Sequence, residues 1–200
     1  MAIGFEATAS GRYVGQFDAD ERNVLTMLAG DLITYVGPDE PSDSDPFGLG
    51  ISDDAEISDD PALARLYPHA YRSDYEAATE FRRYTEQSIR QAKAAHLHTL
   101  IASLEKSGDK VTLNADEAHA WASAVNDMRL VIGTRLHLDP AEQDDPEDIE
   151  PEYVEQMQAV YQWLTWLQET LIEALLGAEE DAYDLVDDDD DDEAPDTITP

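Results

Sequence analysis

The chain has 200 residues, 46 acidic and 12 basic, with a formal net charge of −34 and no cysteine. The missing thiol excludes a disulfide scaffold, a cysteine-based zinc site, a cysteine nucleophile and a thiol redox switch. The charge excludes an ordinary free-standing DNA-binding protein, which needs a basic face to displace counterions from phosphate.

The charge is uneven. Residues 37–60 hold nine acids, 139–152 hold eight and 179–196 hold twelve, and no Lys or Arg lies in any of these tracts. The remainder carries 17 acids against 12 bases, an ordinary balance for a folded domain. A single helical domain is therefore predicted over 1–177. It carries an acidic loop at about 37–60 and is followed by a disordered acidic tail, 178–200.

From the N-terminus, Met1 to Phe5 lacks the basic leader and apolar run of a signal peptide. No stretch reaches the roughly 18 apolar residues of a membrane span. The expectation is a cytoplasmic protein without membrane contact. Residues 2–8 and 12–17 flank Ser10-Gly11 and suit a short β-hairpin. Asp18-Ala19-Asp20-Glu21 is a capping box, with an Asp that accepts a backbone N–H and a Glu that reaches back. It predicts a helix over 19–36 with Val24, Leu25, Leu28 and Leu32 inward. After the acidic loop, Pro61 to Leu66 reads as a short helix with Pro at its first position. A long helix over 74–105 follows. Its predicted inward stripe is Phe81, Thr85, Ile89, Ala92, His96, Leu100 and Leu104.

Val111-Thr112-Leu113 reads as one further short strand, and Asn114-Ala115-Asp116-Glu117 is a second capping box. The helix it opens, 115–136, carries Ala118, Trp121, Val125, Met128 and Ile132 at 3-4-3-4 spacing. The last helix is predicted over 152–176, ended by Gly177. From Val160 it is apolar on most of its circumference, which places it at the centre of the bundle. The fold class is thus mainly α: a bundle of about four main helices with a small N-terminal β-hairpin and one further short strand.

Chemistry-bearing patterns are few. His69, His96, His98, His119 and His137 form no metalloprotease-like motif. There is no Gly-x-Ser-x-Gly, and Gly48-Leu49-Gly50 lacks the strand, helix and Lys of a phosphate loop. Residues 43–54 faintly resemble a calcium loop, but Phe47 stands where an oxygen ligand is needed and Asp54 where a bidentate Glu belongs. No metal site, catalytic residue or cofactor is predicted. Asn126, Asp127, Arg129 and Arg135, with Gln168 and Glu169, form a candidate structural polar network. In it, Arg129 or Arg135 pairing with Glu169 would fix the register of two helices.

Arg65, Arg72, Arg82, Arg83, Arg90 and Lys93 make the one net-positive stretch. Its plain reading is a solvated helix face with i, i+4 pairs between Arg82, Glu86 and Arg90. Its sharper reading is an interaction face on which the acidic tail folds back, competing with an anionic partner.

Four stretches carry a family resemblance: 60–71 (Asp-Pro-Ala-Leu-Ala-Arg-Leu-Tyr-Pro-His-Ala-Tyr), 80–86 (Glu-Phe-Arg-Arg-Tyr-Thr-Glu), 120–136 with its Asn-Asp-Met-Arg-Leu core, and 161–171 (Tyr-Gln-Trp-Leu-Thr-Trp-Leu-Gln-Glu-Thr-Leu). Together they resemble an actinobacterial family long catalogued as a domain of unknown function. It is often encoded beside the ClpS adaptor, and its members are labelled AosR-type oxidative-stress transcriptional regulators. The resemblance covers most of 12–177. It implies a cytoplasmic, non-enzymatic helical protein linked to transcriptional control. The family label rests on an oxidant-responsive cysteine pair, which this sequence carries at no position. Regulation is then expected through contact with a protein partner such as the transcription machinery, with no direct grip on nucleic acid. The alternatives are a small-substrate enzyme using Arg129, Arg135 and Glu169, and an adaptor linked to proteolysis.

Overall fold

A computed structural model of the chain describes residues 3–37, 59–68, 75–138 and 150–187, the side chains of 75–78, 83 and 179–187 excepted. The element order is β1 (Ile3–Ala7), β2 (Tyr13–Gln16), α1 (Ala19–Val36), α2 (Pro61–Leu66), α3 (Tyr75–Lys106), β3 (Lys110–Leu113), α4 (Ala115–Arg135) and α5 (Pro151–Asp187). The fold is mainly helical with a small antiparallel sheet, as the sequence predicts. The calcium-like loop, Gly48-Leu49-Gly50, His69 and Arg72 lie outside the described residues.

Both capping boxes form. Asp18 Oδ1 accepts from the N–H of Asp20 and Glu21 (3.1 and 3.0 Å), and Glu21 Oε2 accepts the Asp18 N–H at 2.8 Å. The Glu21 N–H in particular holds the Asp18 carboxyl below its ordinary pKa. Asn114 and Glu117 make the same reciprocal pair, both bonds at 2.9 Å, and start α4. Asp60 caps α2 by accepting the Ala62 N–H at 2.9 Å.

The hairpin turns through Gly11, whose φ of +69° suits a residue without a Cβ. β3 then pairs antiparallel with β2, Tyr13 opposite Leu113, so the further strand completes a three-stranded sheet. Gly4 brings β1 against α5: the Phe5 N–H donates to Thr170 Oγ1 at 3.1 Å, and a Cβ on Gly4 would stand 2.5 Å from Thr170 Cγ2.

The central element is α4, not α5. The predicted stripe Ala118, Trp121, Val125, Met128 and Ile132 is wholly buried, and α4 packs on α1, α2, α3 and α5. Trp121 is fully enclosed, with Phe5 and Phe17 at ring-centroid distances of 5.3 and 5.8 Å, and its indole N–H donates to Ser103 Oγ at 3.3 Å. By contrast α5 buries Leu164, Leu167 and Leu171 on one side only. Each such leucine contributes about 1.5–3 kcal/mol. Trp166, Ile172 and Leu176 on the other side remain 37–56% exposed. Apolar circumference alone does not centre a helix; it must also have neighbours all round. Nor does Gly177 end α5, which runs on to Asp187. A glycine costs a helix only about 1 kcal/mol against alanine, and the Ala-Glu-Glu that follows favours continuation.

The inward stripe of α3 also differs from prediction in its first half. Phe81, Ile89 and Ala92 face outward, and the stripe runs through Arg82, Glu86, Arg90 and Lys93 into Leu97, Leu100 and Leu104.

Candidate functional site

Two polar assemblies and one groove lie around α4. The first assembly joins α4 to α5. Arg129 Nε donates to Thr165 Oγ1 at 3.0 Å, and its terminal nitrogen donates to Gln168 Oε1. Gln168 Nε2 reaches the Ala122 carbonyl at 3.4 Å and Asn126 Oδ1 at 3.5 Å, and the Arg129 guanidinium lies over the Tyr161 ring. Asn126, Arg129 and Gln168 of the predicted network therefore meet. Arg129 takes Gln168 and Thr165 where Glu169 was expected, and Glu169 faces solvent.

Arg129 and Arg135 lie six residues apart, about 120° around the helix. Arg135 accordingly turns to α1, where its guanidinium stacks on Tyr35 at 5.1 Å. Arg129, Arg135 and Glu169 thus do not converge as the enzyme alternative requires.

The second assembly is the inward half of α3, where a solvated face was predicted. Lys93 Nζ pairs with Asp127 Oδ1 at 2.7 Å, with Asp127 only 4% exposed at its side chain. Burial pushes the Asp127 carboxyl above its ordinary pKa, and the hydrogen bond and charge of Lys93 pull against it. Glu86 bridges Arg82 and Arg90, both at 2.7 Å.

The arginines also finish helices. The last carbonyls of a helix lack intrahelical partners and carry partial negative charge. Arg82 donates to the Tyr67 carbonyl at the end of α2 (2.9 Å), and Arg90 to the Val36 carbonyl at the end of α1 (3.3 Å). Arg22, which sequence reasoning did not single out, bonds the Leu104 and Gly108 carbonyls at the end of α3. Arg90 further stacks on Tyr67 at 4.7 Å. Of the six residues proposed as an interaction face, Arg82, Arg90 and Lys93 are thus turned inward and Arg65 is exposed. The Arg83 side chain lies outside the described residues.

The groove runs between α1, the start of α2, the end of α4 and the start of α5, with a volume of about 1300 Å³. Its floor is Leu32, Met128, Val131, Ile132 and Leu136, and its lips include Met27 and Tyr153, 59% and 53% exposed. At one end stand Tyr35, Asp60 and Arg135. Burial, then the Asp60 carboxylate, push the Tyr35 phenol up to about 12. The Tyr35 hydroxyl, the backbone N–H groups at the start of α2 and the Arg135 charge hold Asp60 below its ordinary pKa, so it is ionised at neutral pH.

Sequence reasoning did not find this site. Met27 sits beside, not on, the buried stripe of α1, whereas Met157 continues the Leu164 and Leu171 face of α5 one heptad earlier, and only the packing brings the two to one trough. Among the described residues no group of three or more His, Asp or Glu side chains gathers to hold a metal. Nor is any helix there long and apolar enough to cross a membrane.

The fold and site define a helical domain with closed polar assemblies and an open apolar trough. The chain belongs to the family described as "Domain of unknown function (DUF2017)", which matches residues 2–175. It is 31% identical over 185 residues, 84% of each chain, to the "Oxidative stress regulator AosR" of Mycobacterium tuberculosis and to that of Mycobacterium bovis. A Mycobacterium leprae relative carrying the AosR name is 35% identical over 137 residues, 61% of each chain. No solved structure matches the chain.

Proposed function

We propose that this chain is a non-enzymatic cytoplasmic regulator that acts by contact with a protein partner in the transcription machinery, without cysteine-based redox sensing. The observation that carries the reading is the division of its surfaces. An enzyme of the kind considered needs titratable groups converging in an open cleft. Here Arg129 is committed to Gln168 and Thr165 within the fold and Glu169 faces solvent, so that of Arg129, Arg135 and Glu169 only Arg135, stacked on Tyr35 beside Asp60, stands at the concavity, which is largely apolar. An open apolar surface rimmed by polar groups is the mark of a protein-docking site. The regulator name of the mycobacterial relatives supports the same reading. A chain without cysteine has no thiol with which to sense oxidant.

Affinity capture of the full chain from its native cell tests this. RNA polymerase components or their accessory factors, enriched over an untagged control, are the expected recovery. A protease complex instead would make the chain an adaptor, and recovery of nothing above the control would overturn the protein-contact reading.

A further inference from the structure

We infer that the groove between α1, α4 and α5 docks a basic amphipathic helix of a protein partner. The inference rests on the protein-contact reading and supplies it with a surface. Small-molecule sites have volumes of roughly 300–1000 Å³, and this trough, at about 1300 Å³, is larger. Its α1 wall runs from Met27 to Tyr35, eight residues or about 12 Å along the helix axis. A docked helix presenting anchors at i, i+3 or i+4, and i+7 spans about 10.5 Å, which the wall accommodates.

The lining is adaptable. Met27, Met128 and Met157 all face the groove, and these are all the methionines beyond Met1. Unbranched thioether side chains repack around whatever apolar face they meet.

Charge fixes the rest of the partner's chemistry. Arg135 is the sole Lys or Arg among the described lining residues, and it is stacked on Tyr35 and faced by Asp60. Asp31 adds a second carboxylate. The two acidic tracts are also tethered here. Gly37, Asp59, Leu138 and Glu150, where the described chain leaves and rejoins them, lie within three residues of the lining residues Tyr35, Asp60, His137 and Tyr153. Seventeen acids and no base belong to residues 37–60 and 139–152. Such a field speeds the approach of a cationic partner and repels an anionic one. An apolar stripe for the floor and Lys or Arg on the flanks satisfy both demands.

The test uses the full chain and fluorescent Leu/Lys peptides of about 15 residues, long enough to form a helix on binding. One is amphipathic, one is the same composition scrambled, and one is an amphipathic Leu/Glu counterpart. The amphipathic basic peptide is expected to bind about tenfold or more tighter than either control, a difference of about 1.4 kcal/mol. It should also shift the methyl NMR signals of Met27, Met128 and Met157. Because Met27 is exposed, Met27→Lys should keep the circular dichroism of the parent while lowering affinity about tenfold, with Met27→Leu retaining it.

Equal binding of the scrambled peptide would show diffuse charge attraction and overturn the inference, as would unmoved methionine signals. Two further results would also overturn it. If Phe47→Ser/Leu49→Ser shifts the methionine signals without peptide, the chain's own segment fills the groove. If self-association in sedimentation is abolished by Met27→Lys, a second copy does. Should the peptide test fail while Met27→Lys still captures the cellular partner, the contact reading stands on another surface. Should capture fail while the peptide binds, the groove stands without that function.

Discussion

Lys93→Met tests the polar interior of α3 and α4 most directly. Lys93 Nζ lies 2.7 Å from a carboxylate whose side chain is 4% exposed, and its own side chain is 18% exposed. Methionine keeps the length and removes the charge, leaving Asp127 buried without its ion-pair partner and with only the weaker influence of His96 against burial, a change that typically costs about 3–5 kcal/mol. Protonation limits that cost. Relative to an ordinary carboxyl at 3.8, taking up a proton at about pH 7 costs about 4 kcal/mol, and at about pH 5 under 2 kcal/mol. The expected loss is therefore about 3 kcal/mol near neutrality, a fall of about 6–12 °C in Tm, shrinking by half or more at the lower pH.

The sign follows from linkage. The folded carboxyl titrates above its unfolded value, so the folded state binds the extra proton. That contribution to stability is complete below the unfolded value and is lost as pH rises through the folded one. Losing Lys93 enlarges this window. Urea unfolding followed by circular dichroism at the two pH values measures it. The double variant Lys93→Met/Asp127→Leu should recover most of the loss, because a buried pair replaced by apolar groups of similar volume is close to neutral. A loss below about 1 kcal/mol near neutrality, or one unchanged by acid, would refute the reasoning.

Asn114→Ala removes the acceptor for the Glu117 N–H and should cost about 1 kcal/mol in urea unfolding, with Asn114→Asp close to the parent. Gly4→Ala would place a Cβ 2.8 Å from Thr170 Cβ, an atom fixed to the α5 backbone. The expected penalty is about 1–3 kcal/mol, with faster hydrogen exchange at the Phe5 amide as β1 lifts from α5. Tyr35 should titrate at about 12 by phenolate absorbance, and Asp60→Asn should bring it down by removing the neighbouring negative charge. An unshifted titration in that variant would place Asp60 too far away to act.

Elements whose cause is local were legible in the residues. Asp18 with Glu21, and Asn114 with Glu117, start their helices through bonds spanning three residues, and no distant partner is needed. The α4 stripe from Ala118 to Ile132 was legible because one face of a helix was apolar and the spacing was regular. The resemblance carried by 120–136 and 161–171 reached the family for the same reason, since motif identity is a property of the chain itself.

Tertiary packing decided what the polar residues do. Arg82, Glu86, Arg90 and Lys93 have the spacing of a buried face and the chemistry of an exposed one, so their sequence alone favours solvent. They turn inward because the carbonyl ends of α1 and α2, the Tyr67 ring and Asp127 happen to await them there. The same holds for Arg129, which finds Gln168 instead of Glu169, and for the trough that gathers Met27, Met128 and Met157 from three helices. Periodicity tells which side of a helix is apolar. Whether a charge can be buried depends on a partner supplied by another part of the chain, and that is settled only when the helices meet.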